Sequence, residues 1–200
     1  MRAAAEGVEA RAGTGQTVLK PPEAGEVEVF AIDPVIADTA ALLAATGLGP
    51  ETSANCVLVA GSRSGEERIA ACLVLAHTRA DVNKRVRKLL DVRKASFLPM
   101  DRAVGESGME YGGIGPIGLP EDYRILIDSR VAAADDLIIG SGIRGSKLLL
   151  SGPTLASLPG APSAQPGEDR VRVEPEVLPG VHLADHVERR SDGIDLGSVE

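Results

Sequence analysis

Tryptophan is absent and aromatic residues make up 2% of the 200 positions, so the core must be built from Val, Leu, Ile and Ala. There are two cysteines. Cys56 and Cys72 lie in apolar runs and form no CxxC pair, which argues against a disulfide or zinc site and for reduced, buried thiols. Reduced thiols point to the cytoplasm. No apolar stretch approaches the length of a membrane span, and the N-terminal "MRAAAEGVEARAGTG" lacks the apolar segment of a signal peptide. A soluble, cytoplasmic protein with no membrane partner is expected. A P-loop pattern is missing, and neither a cofactor nor a metal is expected. The three histidines form no recognisable catalytic triad: His182 and His186 lie near the C-terminus, and His77 ends a strand as a rim or turn residue.

What is present is 44% hydrophobic and 25% charged, enough for a sizeable core in one domain with extensions. Residues 1–25 are rich in Ala, Gly and Glu without apolar periodicity. Residues 161–200 mix Pro, Gly and acid with scattered Val and Leu, and are expected to be a flexible acidic tail. That tail holds 4 basic and 9 acidic side chains, so most of the net charge of −8 falls there. The middle, 26–160, is close to neutral, and the total charge is a weak argument against a nucleic-acid partner. No internal repeat is visible.

Within the middle, "VEVFAI" (27–32) reads as a strand, after which Asp33 can cap and Pro34 open a helix that Gly47 ends. "CVLVAG" from Cys56 and "RIAACLVLAH" from Arg68, joined by a turn-prone "SRSGEE", predict a hairpin. After the N-cap candidate Asp81, residues Val82, Val86, Leu89 and Leu90 put one apolar stripe on a helix. Short strands follow at "ASFL", "RILID", "DLIIG" and "KLLL". Several connections are too short for crossover helices, so a mixed α/β sheet is expected rather than a doubly wound parallel one.

Two glycine clusters stand out. "GMEYGGIGPIGLP" (108–120) holds five glycines and two prolines. Glycine N–H groups can approach a ligand closely, as a phosphate or the oxyanion of an attacked ester would require. A tight connection packed under the sheet accounts for the same composition. "IGSGIRGSK" (139–147) carries Arg144 and Lys147; Arg144 could face an anion, or be a surface residue beside a glycine-weakened strand.

These clusters, with "ILIDSRV" and "LIIGSGIRGSKLLLSGPTLASL", resemble the YbaK/EbsC family of aminoacyl-tRNA deacylases, related to the editing domain inserted in bacterial prolyl-tRNA synthetases. The resemblance spans about residues 26–160 and includes the GxxxP signature, here Gly112 to Pro116. It implies a single compact α/β domain with a mixed, partly barrel-like sheet flanked by helices. It also implies hydrolysis of a mischarged amino acid from a tRNA 3′ end, acting in trans. Backbone amides of Gly112, Gly113, Ile114 and Gly115 would then surround the ester carbonyl. Asn55, Pro116, Gly140, Ser141, Gly142 and Arg144 would line the substrate pocket. The implied partners are the aminoacyl-tRNA acceptor end and a synthetase.

One position departs from the family. Where active members read Ala-Lys-Thr or Ala-Lys-Ser, this chain reads "SANCVLV", with Asn55 at the lysine position and Cys56 at the hydroxyl position. Asn55 hydrogen-bonds but brings no charge. A non-catalytic relative that binds a tRNA 3′ end, a nucleotide-like ligand or a protein is therefore the alternative to an enzyme. Cys56, opening an apolar strand with no nearby His in sequence, reads as a packed residue rather than a nucleophile. The basic run "NKRVRKLLDVRK" could meet acceptor phosphates through Lys84, Arg87 and Lys88, or be a solvated helix face.

Overall fold

The first strand, β1 (Val27–Ala31), leads into a single 3₁₀ turn at Pro34–Ile36 and then helix α1 (Thr39–Thr46). This computed structural model describes residues 27–161 and 173–175; the extension at 1–25 and most of that at 161–200 lie outside the described residues. Asp33 accepts a hydrogen bond from the Val35 N–H at 2.9 Å, and Gly47 closes α1 at φ +68°. Both boundaries match the sequence reading. The continuous helix expected between them is broken, because Asp38 is extended at φ −72° and ψ 139°. The Ala37 carbonyl instead accepts a hydrogen bond from Lys147 Nζ at 2.7 Å.

Strands β2 (Ala54–Arg63) and β3 (Glu66–Leu75) form the expected hairpin, pairing from Ala54↔Leu75 to Arg63↔Glu66. Ser64 and Gly65 turn it at φ +55° and +86°, the left-handed pair that suits strand twist. After β4 (Thr78–Ala80), Asp81 accepts from the Lys84 N–H at 3.0 Å and starts a π-helical turn, Val82–Val86, that runs into α2 (Arg87–Leu89). Val82, Val86 and Leu90 are buried, as their spacing requires.

The remaining elements are β5 (Lys94–Phe97), α3 (Met100–Ser107), β6 (Arg124–Ile127), α4 (Ser129–Ala132), β7 (Leu137–Gly140), β8 (Ser146–Leu150), α5 (Gly152–Ala156) and β9 (Val173–Pro175). Capping explains the two short helices α4 and α5. Asp128 accepts from the Arg130 N–H at 2.8 Å, and Ser151 from the Thr154 N–H at 3.2 Å.

One sheet has the order β5-β2-β3-β6, with β6 parallel to β3; a second is antiparallel, β1-β8-β7; and β9 pairs with β4. The architecture is mixed α/β, and the strands do not close into a barrel. The two larger sheets meet at a parallel bridge, Ser53↔Ile138, where Ser53 Oγ also donates to Ile138 O at 3.3 Å. Between them lies the main core. Leu73, Leu75, Ile125 and Ile127 face Leu137, Ile139, Leu148 and Leu150. Strand alternation sends Val59, Cys72 and Val74 to the opposite face, under Val82, Val86 and Leu90.

Candidate functional site

The two glycine clusters fold against each other. A Cβ added at Gly115 would overlap the Gly140 carbonyl oxygen, and one at Gly140 would overlap the carbonyl oxygens of Gly113 and Ile114. At Gly113 it would lie 2.7 Å from the carbonyl carbon of Ile143. Two backbone hydrogen bonds join the loops: Gly142 N–H to Gly113 O at 2.7 Å and Glu110 N–H to Gly142 O at 2.9 Å. Gly113, Gly115 and Gly140 are therefore glycine because two backbones touch there.

Beside this contact lies a cavity of about 280 Å³, at the junction of the two large sheets. Its wall includes Asp38 and Thr39 from the α1 end, Asn55 and Cys56 from β2, Tyr111, Gly112 and Ile114 from the loop, and Ile138, Gly140 and Lys147 from β7 and β8. The four loop residues expected to present amides divide into two pairs. The Gly113 N–H donates to Glu110 O at 2.9 Å, and the Gly115 N–H to Met109 Sδ at 3.4 Å. Gly112 and Ile114 line the cavity, and among the described residues neither N–H has an acceptor.

Other expected pocket residues serve the frame. Pro116 is buried away from the cavity wall. The Ser141 hydroxyl turns into its own loop, donating to Ser146 O at 2.9 Å. Gly142 supplies a left-handed turn at φ +98°. Arg144 ties three segments: Nη2 donates to Pro34 O at 3.0 Å, while Nη1 reaches Tyr111 O at 3.3 Å and Asp38 Oδ1 at 3.4 Å. Glu110 fixes the same residue from behind by accepting from its backbone N–H at 2.6 Å.

Asn55 does reach the cavity. The Thr39 hydroxyl donates to its Oδ1 at 2.7 Å, leaving the amide NH₂ as its donor group. Burial pushes the thiols of Cys56 and Cys72 upward, that of Cys72 to about 12. Both shifts favour the neutral thiol, which argues against Cys56 as a nucleophile.

The sequence reading missed Lys147 as a cavity residue. Its side chain is 6% exposed and ends on the Ala37 carbonyl. Burial pushes the ammonium below the usual lysine range; Asp38 opposes that shift and Arg144 adds to it. The available signal was a lone lysine at the head of the apolar run "KLLL". Asp38, Thr39 and Tyr111 were also missed, because only the folded loops bring them to one wall.

The basic run lies elsewhere. Lys84, Arg87 and Lys88 are exposed on the segment that covers the Val59, Cys72 and Val74 face of the sheet. Ile114 and Leu119 of the glycine loop pack on the other face, with Leu58, Ala60 and Ala71. Arg87 is partly engaged, its Nε donating to Asn83 O at 2.8 Å. Among the described residues there is no cluster of His, Cys, Asp and Glu able to hold a metal, and no helix long and apolar enough to cross a membrane. His77 is outside the cavity wall, with Nδ1 buried and unpartnered.

A family model described as an aminoacyl-tRNA editing domain matches residues 33–158. Among solved structures, the hypothetical protein APE2540 superposes with a TM-score of 0.61 at 16% identity, covering 68% of this chain and 87% of that one. A candidate trans-editing enzyme for prolyl-tRNA synthetase superposes with a TM-score of 0.59 at 15% identity, covering 68% and 83%. At such identities the likeness establishes the fold alone. No curated protein matches the chain.

Proposed function

Because this chain belongs to the aminoacyl-tRNA editing domain family, we propose that it hydrolyses the ester joining a mischarged amino acid to the tRNA 3′ end. It does so free-standing, after release from or alongside a synthetase. The observation that carries this reading is the wall of the 280 Å³ cavity, where the Gly112 and Ile114 amides, the Asn55 amide and the Lys147 ammonium gather.

Such an ester is activated and needs little beyond positioning and charge stabilisation. Water adds to the carbonyl carbon, its proton passes to the ribose oxygen that leaves, and the carbonyl oxygen carries negative charge in between. Donors around that oxygen lower the barrier without a side-chain nucleophile. The neutral Cys56 thiol fits a reaction that runs through water.

The test is deacylation of a panel of mischarged tRNAs by the full chain with synthetase absent. Turnover of one or more is the expected result. Binding of tRNA without turnover would return the chain to the non-catalytic alternative.

The exposed lysines supply a second prediction. Lys84 and Lys88 make no ion pair among the described residues, so they are available to phosphates. Reversing both to Glu will weaken tRNA binding and flatten the log–log salt dependence by about 2 in slope, since each lost contact removes about one counterion. An unchanged slope in a binding titration from low to moderate salt would make this face a solvated one. Because it lies across the sheet from the glycine loop, such contacts belong to the acceptor stem rather than the 3′ end.

A further inference from the structure

We propose that Lys147 is the cation that receives the ester carbonyl oxygen as it becomes negative, so that β8 supplies the positive charge of this cavity while β2 supplies only a neutral amide. The inference rests on the hydrolytic reading above and adds a residue to it. An ammonium has three donors, and among the described residues the Lys147 ammonium has one acceptor, Ala37 O. No carboxylate lies within ion-pair distance of it there. Asp38 is the acid that bears on it, but that side chain is 65% exposed and its Oδ1 faces Arg144 at 3.4 Å.

Arg144 is the other cation that bears on Lys147, but it is outside the cavity wall and its guanidinium is already held by Pro34 O, Tyr111 O and Asp38. Lys147 is thus the buried charge with donor capacity left over, at the wall of a cavity that fits a small polar group. Buried charges without a partner are strongly disfavoured unless a ligand completes them. Its placement is also specific. In the β7–β8 register Lys147 is paired with Gly140, whose backbone abuts Ile114. The ammonium therefore shares one cavity with the open N–H groups of Gly112 and Ile114.

These three donors belong to residues of two segments that line one cavity. A carbonyl oxygen there gains charge on attack, so the attraction to an ammonium is stronger in the transition state than with bound substrate. The competing account is that Lys147 only ties down the Ala37 turn. That account predicts a change in stability, not in the chemical step.

The experiment measures kcat and KM of the wild-type chain, Lys147→Met and Lys147→Arg, on the tRNA that the panel identifies, together with each thermal midpoint. Met keeps the length of the stem and removes the charge. Lys147→Met is expected to lose 100-fold or more in kcat, with KM within about threefold of wild type. Lys147→Arg is expected to retain part of the rate.

The pH profile, corrected for spontaneous ester hydrolysis, supplies a readout that a tie to Ala37 would not move. The charged groups bearing on Lys147 are Asp38, which favours the ammonium, and Arg144, which disfavours it; burial outweighs both. The wild-type rate is expected to fall at a pH below the ordinary lysine range of about 10.4, and Lys147→Arg to lack that fall. A folded Lys147→Met with unchanged kcat would overturn the assignment. So would an alkaline fall that Lys147→Arg leaves in place, a test that holds even if Lys147→Met does not fold. A wild-type chain inactive on every tRNA would instead overturn the hydrolytic reading and this one with it.

Discussion

A Gly115→Ala variant will lose about 3 kcal/mol of stability, at the upper end of what overpacking a close-packed site removes. The new methyl would overlap the Gly140 carbonyl oxygen, which is backbone and cannot rotate away. Relief requires the two glycine loops to separate. That strains the 2.7 Å bond from Gly142 N–H to Gly113 O and displaces Gly112 and Ile114 from the cavity wall. Gly105→Ala is the control. Gly105 is an exposed interior position of α3, with nothing within 4 Å of its added Cβ, so helix propensity alone should stabilise that variant by about 0.5–1 kcal/mol. Urea denaturation of both proteins checks the contrast. Equal midpoints would mean that the loops tolerate separation and that their contact does not define the cavity.

Asn55→Lys will be destabilised by about 2 kcal/mol at neutral pH and will not gain turnover. The substitution introduces the lysine that the family resemblance implies at this position, yet here it places a second ammonium in a cavity that already holds Lys147. Lysine has no acceptor, so the Thr39 hydroxyl also loses the oxygen it now donates to at 2.7 Å. Both effects disfavour the charged form of the new side chain. The sign with pH follows. A lysine whose folded pKa lies below about 10.4 leaves the unfolded chain binding more protons in between, so the stability deficit shrinks as pH rises through that window. Thermal unfolding at pH 7 and pH 10 measures it. A variant as stable as wild type with sharply faster deacylation would show that the cavity lacked the β2 charge after all.

Much of the frame was legible because local chemistry decides it. The β2–β3 hairpin follows from two apolar runs around a turn-forming Ser64–Gly65, and the ends of the α1 region from Asp33 and Gly47. What the sequence hid depends on partners distant along the chain. The break at Ala37–Asp38 is coupled to a lysine 110 positions away, and no local preference announces it. The π-helical turn at 82–86 keeps the apolar stripe of an ordinary helix, so its spacing looked regular while Val86 N–H in fact donates to Asp81 O. Helix α3 was obscured by Gly105 and by polar residues on its outer side. In the site, Asn55 was visible by its departure from a motif. Lys147 was not, because which way a strand residue faces is set by its pairing with β1 and β7.

The meeting of the two sheets at Ser53 and Ile138 has a consequence for the width of the cavity. Asn55 and Cys56 belong to one sheet, and Ile138, Gly140 and Lys147 to the other. On the hydrolytic reading proposed above, the width available to an amino acid is the gap between the two sheets, beneath which Leu75, Leu137 and their neighbours pack. A change of one methylene there tilts the sheets and resizes the chamber without touching its lining. On that reading, divergence in the accepted amino acid can accumulate at Leu75, Leu137 and Leu150, which no comparison of lining residues would flag.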